Sequence, residues 1–470
     1  MLAWLKPLGI VAGAFGACWI GAIWYWRASN RMPATGDLIV FMLMLPLALL
    51  LLVWIGKKIH TRMSAAAAAS AAAPVAAAQT EAAPALAAPS LTIVAAAVRA
   101  PHGQSTDELY AALAEGSARP ALDDQLYDDH GFPVMTARVA DNDPAALREE
   151  LEPWLATRGL DAASFSDEQW RALNAGSAVL AELAGWLGTH PHIAEHTART
   201  DMRSPTTLPL LHLLPVWSAG WPTETRALAD EWLRHLLVQA GWPQDRLAPT
   251  ATQASAHVNG LLNTLLAHAA TDPSAPVLAM VIACDSHLSE GAIDAMSGAG
   301  RLFTARTAQG EIPGEGAAGL LIADAAQAAL LAPGEEAVLL RGAASAELPG
   351  SADVAKRVDG SVLRRTTEAL LQHTQVAAAD VAALTADTDH RTSRVMEVMD
   401  LVADQFKELD PAADLASVGA ACGSCGAVTY LTALALARHA ALEKSAPVLC
   451  IGNLDPYRRD VALLAPAAQA

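Results

Sequence analysis

The chain has 470 residues, a formal net charge of −18, and 53% hydrophobic residues against 5% aromatic and 17% charged. Such acidity excludes nucleic acid as a partner, because phosphate contacts need clustered Lys and Arg. Five cysteines are too few for a disulfide scaffold, and a mean hydropathy of +0.27 points to a membrane segment.

The first apolar run, residues 8–26, carries no charge, and neither does the second, residues 38–56. Each is long enough to cross a bilayer as a helix. Trp24, Tyr25, Trp26 and Trp54 stand at the run ends, where interfacial aromatics belong. The connector holds Arg27 and Arg31, while Lys6, Lys57, Lys58 and Arg62 flank the pair. This bias predicts a transmembrane hairpin over 1–63 in a bacterial inner membrane, with both ends in the cytoplasm. Residues 64–90 are an Ala/Pro-rich tether broken by Pro74, Pro84 and Pro89. Residues 1–63 carry a net charge of +5 and the rest −23. The acidic domain, 91–470, is therefore expected to stand off an anionic leaflet.

In that domain short apolar runs alternate with amphipathic stretches. Strands are expected at 91–98, 208–217, 277–283, 319–323, 337–340, 446–451 and 461–464. Helices are expected at 106–115, 223–239, 258–269, 358–373, 392–406 and 427–439, with Thr106 and Thr223 as caps. Continuous apolar strands between helices predict an α/β fold with buried sheets. Seven of the twelve tryptophans fall between Trp154 and Trp242. Core filling explains most of them. Trp217, Trp221, Trp232 and Trp242 are also candidates for a binding surface, since Trp is enriched at interface hot spots.

LTIVAAAVRAPHGQSTDELYAALAEGSA opens the domain; PVLAMVIACDSHLS, GEIPGEGAAGLLIADA, LTADTDHRTSRVMEV, SVGAACGSCGAVTYLTALALA and CIGNLDPYRRDVALL follow in order. Together they resemble the β-ketoacyl synthases over roughly 91–467. The resemblance implies a thiolase-like layered fold with buried mixed sheets. It also implies a thiolate at the start of the helix before strand 277–283, and two histidines after later strands. The first position reads Ala251 to His257 without cysteine. The histidines would fall near Ala386 and near Gly423 or Ser424, and none stands there. His390 lies further along and is expected to face solvent. Ser255 could replace the nucleophile, but His257 is only two residues away and diverges from it on a helix.

Cys422 and Cys425 form a lone CxxC before a helix, where redox motifs sit, but a glycine-rich packing turn accounts for them more simply. No second CxxC completes a zinc site, and HPHIAEH (His190 to His196) reads as a loop entering a helix. Asp123, Asp124, Glu335 and Glu336 read as solvated acids. No cofactor and no metal are implied. The organisation also resembles the type VI secretion lipase adaptor family. That likeness implies a membrane-anchored, catalytically inactive adaptor binding a lipase effector or spike protein, with a homodimer possible. The alternatives are an acyl-processing enzyme with a relocated nucleophile and a thiol-redox protein.

Overall fold

The computed structural model describes residues 90–467, apart from 161–164, 200–205, 250–256, 273, 334–336 and 355–356. The chain runs β1 (Leu91–Arg99), α1 (Thr106–Ala114), β2 (Ala121–Tyr127), β3 (Pro133–Thr136), α2 (Ala145–Ala156), α3 (Asp167–Gly188) and α4 (His192–Thr197). Next come β4 (His212–Val216), α5 (Thr223–Gln239), α6 (Val258–Thr271), β5 (Leu278–Ser286), α7 (Glu290–Gly298), β6 (Glu315–Ala323) and α8 (Ala325–Leu331). The last stretch holds β7 (Val338–Glu347), α9 (Ser361–Thr374), β8 (Ala383–Ala386), α10 (Thr392–Gln405) and α11 (Pro411–Asp414). It ends with β9 (Leu415–Ser417), α12 (Val418–Cys422), α13 (Gly426–Lys444), β10 (Val448–Gly452) and β11 (Arg458–Pro466).

One mixed sheet joins the strands in the order β4-β5-β6-β1-β7-β11-β10-β8-β9, and β2 and β3 form a separate hairpin. The order holds an internal repeat. Outward from β1, the pairings are antiparallel to β6, antiparallel from β6 to β5, and parallel from β5 to β4. Outward from β7 they are antiparallel to β11, antiparallel from β11 to β10, and parallel from β10 to β8 and on to β9. The two halves meet where Leu91–Ile93 pairs antiparallel with Val338–Leu340.

Every residue of β5 and β6 is buried, because helices cover both faces and a two-sided strand needs no polar side. The faces still alternate. In β5, Ala279, Val281 and Ala283 pack toward α6 and α13, while Leu278, Met280 and Ile282 pack toward α3 and α5. In β11, Ala462 and Leu464 join the first cluster, and Val461 and Leu463 pack toward α9 and α10. Helix α13 is apolar almost all round, from Val428 to Ala441, as a central buried helix must be. Its Arg438 donates to Ile93 O at 2.9 Å and Val94 O at 2.7 Å, where β1 shifts register.

The expected α/β class and most expected elements are present, and α5 has the predicted bounds. Three differences stand out. Helix α1 is capped by Ser105, whose hydroxyl accepts the Glu108 N–H, and α5 follows Pro222 with no side-chain cap. The 22-residue α3 is absent from the expected elements, whereas the short β8 lies where the resemblance expects the first histidine strand. The transmembrane hairpin is a correction to the expected architecture. No helix among the described residues is long and apolar enough to cross a membrane. The runs at 8–26 and 38–56, like the tether up to residue 89, lie outside the described residues.

Candidate functional site

The internal repeat fixes where a site can form. Helices α6 and α13 occupy equivalent places in the two halves, each leading into the strand pair that closes its half (β5–β6 and β10–β11). Their N-termini open on one cleft of about 460 Å³. His257 is the N-cap of α6, Ser424 lies between α12 and α13, and Asp387 directly follows β8; all three line the cleft. These are the places where the resemblance expects the thiolate and the two histidines.

Asp387 is buried, and its carboxylate accepts the backbone N–H groups of Asn453 at 2.7 Å and Leu454 at 3.0 Å. Burial outweighs these bonds and pushes its carboxyl up to about 7, with Asp460 and Asp389 adding repulsion. Asn453 is locked in turn, accepting from the Thr388 hydroxyl at 2.8 Å and donating to Arg394 O at 2.9 Å. At His257, burial and then Arg458 hold the imidazole below its usual value, which leaves it neutral near pH 7. Arg458 itself pairs with Asp460 at 2.9 Å. Tyr430 donates to Asn259 Oδ1 at 2.9 Å, and Asn259 donates to Ala344 O and Val461 O, so α6 is pinned to β7 and β11.

Among the described residues no cysteine lines the cleft. Cys422 ends α12 and Cys425 caps α13, both buried. The Cys425 thiol donates to Asp285 O at 3.1 Å. Burial pushes the Cys422 thiol up to about 12 and that of Cys425 well above its ordinary value, the reverse of what a redox thiolate requires. Ser255 falls outside the described residues. His390 is only half-buried against the Phe303 ring, edge to face at 5.0 Å.

Of the four candidate tryptophans, only Trp217 reaches the cleft wall, with its indole N–H on Asp230 at 2.6 Å and its ring stacked on Trp221 at 5.0 Å. Trp221, Trp232 and Trp242 are buried core residues. The Trp232 indole N–H donates to the Ser177 hydroxyl and that of Trp242 to Arg246 O. His190 meets Gln327 at 3.0 Å and His196 meets Asp245 at 3.0 Å, and no metal-binding cluster occurs among the described residues. Asp123 is not solvated: it is buried and takes three hydrogen bonds from Arg138 and one from Thr136. Asp124 is exposed, and Glu335 and Glu336 lie outside the described residues.

The glycines of GEGAAG mark close approaches. A Cβ on Gly314 would stand 2.2 Å from Cys422 O, and one on Gly319 would stand 2.7 Å from Leu183. Between them Glu315 is fully buried and paired with Arg171 of α3. Sequence reasoning missed Asp353, whose one oxygen takes Arg391 Nη1 at 3.1 Å and Arg394 Nη2 at 2.6 Å. The dense run of acids and arginines from Asp387 to Arg394 was the signal available.

No family model matches the sequence, and no curated protein does. Solved structures do resemble it. The ishigamide ketosynthase/chain length factor shares 16% identity, covers 80% of this chain and 99% of its own, and gives a TM-score of 0.51. An oxazolomycin ketosynthase domain from Streptomyces albus JA3453 shares 13%, covers 80% and 75%, and gives 0.54. The ketosynthase from module 6 of the bacillaene synthase of Bacillus subtilis 168 shares 13%, covers 80% and 72%, and gives 0.51. The chain thus has the thiolase-like fold of ketosynthases, and at these identities the likeness concerns the fold alone.

Proposed function

We propose that this chain uses a ketosynthase-like frame to bind a protein partner and does not condense acyl groups. One observation carries the reading. Where the resemblance expects the catalysts, His257, Asp387 and Ser424 line one cleft, and among the described residues no thiol lines it. Acyl condensation needs a thiolate to attack the thioester and imidazoles to steady the developing oxyanion. A neutral imidazole on α6 and a half-protonated carboxyl after β8 can hold a polar group or a proton, but they do not supply that pair. In its finer form the reading has the domain carry a lipase effector toward a type VI secretion spike. The support for that form is the pattern of a retained frame without its catalysts.

The test uses the full chain and an acyl-thioester analogue, followed by mass measurement. The wild type is expected to form no adduct, and His257→Cys is expected to form one, because a helix N-terminus favours a thiolate. An adduct on the wild type that disappears in Ser424→Ala would instead establish an acyl-processing enzyme with a relocated nucleophile. In affinity capture with the full chain, recovery of an effector lipase or spike protein supports the adaptor. Recovery of acyl carrier protein alone overturns it.

A further inference from the structure

The hairpin of β2 and β3 keeps its inner face in a small core of its own, where Leu126 and Val134 pack with Leu288, Ile293, Met296 and Leu302. Its base is fixed by the Asp123 carboxylate, which takes the Arg138 guanidinium at 2.8 Å. On the outside, Leu122 is 62% exposed and Phe132 66% exposed. Both line a cavity of about 540 Å³ between the hairpin and the 300–307 loop, and Val134, Leu302 and Phe303 extend its apolar wall. Large apolar side chains held in water beside a cavity, on an element that is tied down, mark an interaction surface.

The rim of that cavity is acidic. Asp128 and Asp129 line it, and Asp124 stands exposed on β2. Asp128 accepts the Phe132 and His130 N–H groups, each at 2.9 Å, and they hold its carboxyl below its usual value and keep it anionic. Asp129 accepts the Ser297 hydroxyl at 2.7 Å. Glu290 and Asp294 are exposed on α7, whose Ile293 and Met296 pack beneath the hairpin. Among the described residues Arg306 is the one Lys or Arg that lines the cavity. A second copy of the chain would set these acids against themselves, and an anionic bilayer would repel them. An added strand fits no better. Residues 123–126 of β2 stand opposite Val134 alone, so the hairpin offers no regular ladder to extend.

We propose that the cavity beside the β2–β3 hairpin docks a basic amphipathic helix of a partner protein, with its apolar side chains against Leu122 and Phe132 and its cations over Asp124, Asp128 and Asp129. A helix presents residues i, i+3 and i+4 as one stripe, which suits a short apolar cavity, and the cations that flank the stripe meet the acidic rim. The proposal rests on the reading that this chain binds a protein, and it names the chemistry of that partner.

The experiment titrates the full chain into a fluorescently labelled peptide of Leu and Lys, about 18 residues long and patterned as an amphipathic helix, and reads anisotropy. The same peptide with Glu in place of Lys is run beside it. The Lys peptide is expected to bind, and the Glu peptide to bind at least about tenfold more weakly. Leu122→Ser and Phe132→Ser are each expected to weaken the Lys peptide by at least about tenfold. Met396→Ser, at an exposed methionine of α10, is expected to leave it unchanged. No binding of the Lys peptide, or binding that Leu122→Ser and Phe132→Ser leave unchanged, overturns the proposal. Equal binding of the Glu peptide, or self-association of the chain that Phe132→Ser abolishes, overturns it too. An acyl adduct on the wild type would overturn the reading of the cleft without touching peptide binding, so the two fail separately.

Discussion

Asp387 carries the cleft's pH dependence. Its carboxyl is raised from 3.8 to about 7 by burial, so the folded chain keeps a proton that the unfolded chain has lost. The penalty is absent below about pH 4, grows between pH 4 and 7, and is constant above, where it approaches ~4 kcal/mol. Asparagine can still accept from the Asn453 and Leu454 N–H groups without charge. Asp387→Asn is therefore expected to gain thermal stability over wild type at pH 7.5 and little at pH 4. An equal midpoint difference at both pH values would mean that the carboxyl is not raised. At this scale the site was partly legible: the resemblance to β-ketoacyl synthases put its two histidine positions near Ala386 and near Gly423 or Ser424, and Asp387 and Ser424 line the cleft. The partners that tune Asp387 were not. Asn453 and Leu454 reach Asp387 from the loop after β10, far along the chain, and such a loop carries no periodic pattern that would reveal where its N–H groups point.

Among the elements, α3 shows why a long helix can escape a reading by hydrophobic pattern. Its buried face includes Ala172, Ala175, Gly176 and Ala184, small residues that score as neutral yet let the helix lie close on the sheet. Its start was readable, since Ser166 and Gln169 form a capping box. Strand β8 is the opposite case, four residues without a long apolar run, made a strand by its neighbours β10 and β9. The contact of α3 on β6 is tightest at Gly319, where an added Cβ would sit 2.7 Å from Leu183 and 2.9 Å from Val179. Gly319→Ala should cost roughly 1–3 kcal/mol in urea unfolding, since overpacking forces neighbours from their rotamers. Leu183→Ala should cost less in that background than in the wild type, a less than additive cost being the mark of a shared contact. Strict additivity would place the strain elsewhere.

For the molecule as a whole, the repeat of two half-sheets explains how a chain this acidic still builds charged clefts. Each half ends its buried helix at the shared opening, and polar groups can gather there because the loops are the only unpacked backbone left. Residues after 63 carry −23, while the Arg459–Glu397 pair is buried. Buried pairs are screened weakly, whereas exposed like charges are screened within about 10 Å at 0.1 M salt. Net repulsion on the surface should thus dominate the salt response, and the thermal midpoint is expected to rise as NaCl goes from low concentration to about 0.3 M. A flat or falling midpoint would mean that exposed attractive pairs, such as Arg148–Asp167, outweigh the excess of acids.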